Sequence, residues 1–110
     1  MPHNIPIEAP RWLAMYEHLA ETLSDGYDLC IFEYTNDMSS RELLERYKEH
    51  PLVKSMQDRI QIADARIRFV LSPTKQCIHG QAPPAHFWYW MYPPNSPRLE
   101  RDLKQAGAID

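Results

Sequence analysis

Apolar residues recur three and four positions apart in several stretches of this chain, and that spacing is the period of an α-helix with one buried face. After Pro10 the apolar positions are Trp12, Met15, Tyr16, Leu19 and Leu23, which predicts a first helix over 10–23 with proline in its first turn, where no amide needs a partner. Ser24, Asp25 and Gly26 end it. The next stretch, 27–35, is rich in β-branched and aromatic residues around Leu29, Ile31 and Phe32 and predicts a short buried strand. Asn36 and Asp37 supply a turn, and Ser39 with Glu42 three residues later forms a capping box that opens a second helix with Leu43, Leu44 and Tyr47 facing inward. His50-Pro51 breaks that helix, because proline disfavours α geometry in the residue before it.

The clearest periodicity follows the break. Val53, Met56, Ile60, Ala63, Ile67 and Val70 form one stripe and predict a continuous helix about 27 Å long that crosses the molecule. Ala65, Ile67, Phe69 and Leu71 also alternate with Arg66 and Arg68, so 65–71 has a competing reading as a strand with its arginines outward. From Ser72 to Pro97 seven prolines and glycines punctuate the chain and leave 85–92 as an extended segment within an irregular, Pro-rich stretch over 72–97. Pro97 to Ala106, with Leu99 and Leu103 four apart and Gly107 behind, predicts a short final helix. The fold class expected is helix-rich α+β, about four helices with a two-stranded β element in which 29–34 pairs with 86–92; an all-α bundle is the alternative.

Composition adjusts this picture in three ways. A length of 110 residues with 44% hydrophobic and 25% charged residues suits one folded domain over 1–110. A net charge of −3 gives no basic field to draw the chain onto nucleic acid or anionic lipid, and the longest apolar run, 87–92, is too short to span a bilayer. Two cysteines far apart, Cys30 and Cys77, point to free thiols in a reducing compartment, so a cytoplasmic location is expected.

Chemistry concentrates in one place. Phe87-Trp88-Tyr89-Trp90-Met91-Tyr92 follows His86 and is bracketed by Pro83-Pro84 and Pro93-Pro94. Strand alternation would put Phe87, Tyr89 and Met91 on one face and Trp88, Trp90 and Tyr92 on the other, so one aromatic face is left to meet either the core or a partner. The leading expectation is a non-catalytic binding or regulatory protein that contacts another protein, or a second copy of itself, through Trp88, Trp90, Tyr92 and His86. A small enzyme or metal-binding protein would use the loop of Cys77, His79 and His86, with Cys30 as a further ligand. That spacing lacks the paired two-ligand knuckles of a structural zinc site, and no metal or cofactor is assigned. A nucleic-acid binder would use Arg59, Arg66 and Arg68 with Lys54, a row that Asp58 and Asp64 interrupt. Glu33, between Phe32 and Tyr34, would be a partly buried carboxylate in need of a partner. Gly26, Gly80 and Gly107 are not spaced as a phosphate-binding loop.

Overall fold

The computed structural model describes residues 6–23, 30–78, 81–94 and 96–110. A 3-10 turn at Pro6–Glu8 leads into α1 (Ala9–Leu23), followed by α2 (Ile31–Arg46), the single turn α3 (Pro51–Lys54) and α4 (Gln57–Val70). Strand β1 (Ser72–Pro73), a 3-10 turn at Phe87–Tyr89, strand β2 (Met91–Tyr92) and α5 (Pro97–Gln105) complete the chain. The architecture is helix-rich α+β with a small two-stranded antiparallel sheet, the fold class expected.

Helix α1 is the centre of the packing and lies against both α2 and α4. It buries Trp12, Leu13, Tyr16, Leu19, Ala20 and Leu23, and Met15, expected inside, is half exposed while Leu13 takes the inward position. Trp12 stacks on Tyr47 with ring centroids 5.6 Å apart. Burial of the Trp12 ring contributes roughly 2–3 kcal/mol, and its stack on the half-buried Tyr47 anchors the end of α2 on α1.

The expected strand is corrected. Residues 31–35 are the first turns of α2, and 27–29 lie outside the described residues. Ile31, Tyr34, Met38, Arg41 and Leu44 repeat at helical spacing and turn one face of α2 inward. The aspartate of another helix supplies the N-terminal cap: Asp102 Oδ2 accepts the Ile31 amide at 3.1 Å. Asn36 and Asp37 are therefore helical rather than a turn, and Ser39 and Glu42 are not a capping box. Ser39 Oγ donates instead to the Asn36 carbonyl at 2.5 Å, one turn back in the same helix. Leu44 is buried and Leu43 and Tyr47 half-buried, as their spacing implied.

The long stripe is inward as expected, with Val53, Met56, Ile60, Ala63 and Ile67 buried and Val70 half-buried. It is carried by two helices rather than one, because the chain turns at Ser55 and Met56 between α3 and α4. His50 caps α3, its Nδ1 accepting the Leu52 amide at 3.1 Å. The strand alternative for 65–71 is not taken: the helix holds to Val70, and only Leu71 is extended.

The sheet partner also differs. Met91 and Tyr92 pair with Pro73 and Ser72, not with 29–34. Around this ladder the Thr74 amide donates to the Trp90 carbonyl at 2.9 Å and the Ile78 amide to the Tyr89 carbonyl at 2.8 Å. Helix α5 buries Leu99 and Leu103 and packs on α2, and Gly107 follows it at φ +79°, the left-handed geometry that ends many helices.

Candidate functional site

Only the end of the aromatic run, Met91 and Tyr92, is extended. Phe87–Tyr89 is a 3-10 turn packed on α2, so the expected alternation of faces is replaced by a rotation in which Phe87, Trp88 and Tyr89 are all buried. Trp88 is 1% exposed, a core residue and not an open contact surface. Trp90 and Tyr92 are half-buried, and the Trp90 indole N–H donates to the Ala82 carbonyl at 3.1 Å.

The turn meets α2 and α4 through a polar cluster that neither helix shows by its pattern alone. Glu42 Oε2 accepts the Trp88 indole N–H at 3.1 Å and lies 3.0 Å from His86 Nδ1. The His86 ring stacks on Trp88 at a centroid distance of 4.9 Å. One residue earlier, Arg41 places its guanidinium 4.3 Å from the Trp88 centroid and donates to both oxygens of Asp64 at 2.8 and 3.0 Å. Tyr16 Oη donates to the same Asp64 at 2.6 Å, and Glu45 lies 3.5 Å from Arg41. Three helices and the aromatic turn are thus joined through two carboxylates.

Electrostatics follow from this packing. Burial opposes the charge of Arg41, but the hydrogen bonds and charge of Asp64 outweigh it and hold the guanidinium protonated beyond its ordinary range. Burial pushes the phenols of Tyr16 and Tyr34 far up, the first reinforced by Asp64. Tyr89 is pushed up to about 12 by burial and then by the charge of Glu42. With Glu42 ionised, His86 Nδ1 is the donor of the pair, and a neutral imidazole then keeps its lone pair on Nε2. His86, Glu42, Asp64 and Glu45 are all half-buried, so solvent or a partner group reaches the rim of the cluster through several of its members.

The other expected residues are dispersed. Cys77 is half-buried and its Sγ accepts the Ala82 amide at 3.5 Å, and the Cys30 thiol lies at the start of α2, 3.9 Å from Glu33. His79 lies outside the described residues. Among the described residues no group of three His, Cys, Asp or Glu side chains converges as for a metal ion. Glu33 is exposed, contrary to the expectation of partial burial. Arg59 pairs with Glu17 at 2.6 Å, Lys54 with Glu49 at 3.3 Å, and Arg68 stacks over Phe87 at 4.8 Å, so the basic row is spent within the chain and only Arg66 of the set has no ion-pair or ring partner among the described residues.

A second feature lies on the outer side of the aromatic turn. Phe32, 81% exposed, lines a shallow groove with Thr35, Asn36 and Ser39 of α2 and with Tyr89, enclosing about 300 Å³. No family model, curated protein or solved structure matches the chain. No described helix is long and apolar enough to cross a membrane. The sequence singled out the aromatic segment but missed Arg41, Glu42, Asp64 and Phe32. A faint signal existed, since Arg41 falls in helical register with Tyr34 and Met38.

Proposed function

We propose that this chain is a small non-catalytic binding or regulatory protein, cytoplasmic, that acts through protein–protein contacts at the groove between α2 and the aromatic segment. The observation that carries the reading is Phe32: a large apolar ring left outside, at the mouth of a groove whose walls are short polar side chains. Aromatic residues flanked by adaptable hydrogen-bonding groups are the composition of protein-binding surfaces. The Pro-bracketed segment then serves as the support of that surface. Trp88 holds it from the core side through Glu42, Trp90 ties it to the Ala82 carbonyl, and Tyr92 pairs with Ser72 in the sheet. Two cysteines far apart in sequence, without a framework of further pairs, support the reducing compartment.

The test is selection of binding peptides from a random displayed library, followed by affinity measurement on Phe32→Ser and Ser39→Arg. Both positions are exposed, so both variants keep the wild-type far-ultraviolet circular dichroism. Selected peptides are expected to carry an aromatic or aliphatic anchor and to lose at least about ten-fold in affinity on either variant, the size of a typical interface anchor. Peptides that bind both variants like wild type would move the contact away from this groove. Trp88→Ala is the wrong probe, since it removes a core side chain at a cost of about 3–5 kcal/mol.

A further inference from the structure

The outward side of α4 carries a second row, apolar over Ile62, Ala65 and Phe69. With Asp58, and Ser55 just before the helix, these residues follow one another at alternating intervals of three and four residues, the spacing of a helix-pairing seam. At about 100° of rotation per residue this row lies across the helix from Ile60, Ala63 and Ile67, which face the core. Phe69 is 90% exposed and Ile62 61%, and a hollow of about 410 Å³ runs along Ala65, Arg66, Phe69 and Val70. Asp58 and Arg66 flank Ile62 and are both exposed. Neither has an ion-pair partner among the described residues, whereas Arg59 on the same helix is neutralised by Glu17.

We infer that this face pairs with the same face of a second copy of the chain, the two α4 helices running antiparallel about a twofold axis at Ile62. The charges select this occupant and this direction. Asp58 stands four residues before Ile62 and Arg66 four residues after it, so a twofold axis there sets each carboxylate opposite the second copy's guanidinium. Parallel pairing would oppose Asp58 to Asp58 and Arg66 to Arg66, like charges at both ends. Ile62 meets itself at the axis, and Ala65 is small enough to let the helices approach. Phe69, seven residues from the axis, reaches the corner between α3 and α4 of the second copy, where Ser55 is exposed and Leu52 half-buried. A 14-residue helix is about 21 Å long, so the contact is smaller than a standard interface and the dimer is weak and concentration-dependent. This surface is separate from the groove at Phe32 and does not depend on it.

Sedimentation velocity from micromolar to millimolar protein tests the pairing, with Asp58→Arg, Arg66→Asp and the double variant. Wild type is expected to pass from monomer to dimer across that range. Each single variant turns two attractive pairs into two repulsive ones and should weaken dimerisation about ten-fold or more, and the double variant should restore it by exchanging the charges. Phe69→Ser should weaken it as well, and Phe32→Ser should not. Wild type that stays monomeric throughout, single variants that dimerise unchanged, or a double variant no better than the singles would each overturn the pairing. Circular dichroism confirms the fold of every variant, all at exposed positions.

Discussion

Arg41 is gripped from several directions at once, by the Asp64 carboxylate, the rings of Tyr16 and Trp88, and Glu45 one turn along its own helix. Its charge survives burial only because Asp64 answers it. Asp64→Ala therefore leaves a guanidinium without its counter-charge in a poorly solvated site, and urea unfolding should show a loss of about 3 kcal/mol. The tyrosines give a second prediction at this scale. A phenol is neutral when protonated, and burial raises the folded-state value of Tyr89 from 10.0 to about 12, with Tyr16 and Tyr34 displaced further in the same direction. The stabilisation is thus complete below pH 10 and is lost as the pH climbs through the folded value. The urea midpoint should fall steeply between pH 10 and 12, with the tyrosinate absorbance of Tyr16, Tyr34 and Tyr89 appearing only as the chain unfolds. A midpoint level across that interval would mean the phenols are open to water.

Between elements, one side chain completes another helix. Asp102 in α5 accepts the first amide of α2, where its negative charge also meets the positive end of the helix dipole. Asp102→Ala should cost about 1 kcal/mol in thermal or urea unfolding, and Asp102→Asn should recover most of it, since asparagine caps nearly as well. The same helix shows where sequence reasoning stopped. Its buried face includes Ser40 and Arg41, polar residues that break an apolar stripe, so the local β-branched and aromatic cluster at Ile31 and Phe32 dominated the pattern. Helices α1, α4 and α5 were legible because their inward positions are apolar without interruption. The corner at Ser55 and Met56 was not, since the inward spacing runs through it undisturbed. The aromatic segment was recognised as special, but its 3-10 rotation depends on tertiary bonds to Glu42, 46 residues away from Trp88, which no local pattern encodes.

Across the whole molecule, one continuous cluster of buried residues runs from Ala9 to Ala108 and takes in the aromatic turn. Its two-residue ladder sits between prolines: Pro73 occupies β1, and Pro93 and Pro94 follow β2 directly. A proline has no amide to give to a neighbouring strand, so this sheet cannot lengthen and offers little template to an outside chain. The consequence reaches the unfolded state. Six consecutive large apolar residues without a charge, Phe87 to Tyr92, are the composition from which fibrils nucleate, yet Pro83-Pro84 and Pro93-Pro94 bracket them and cannot join a stacked ladder. The segment that anchors the native core is thereby guarded against its own tendency to assemble whenever the fold opens.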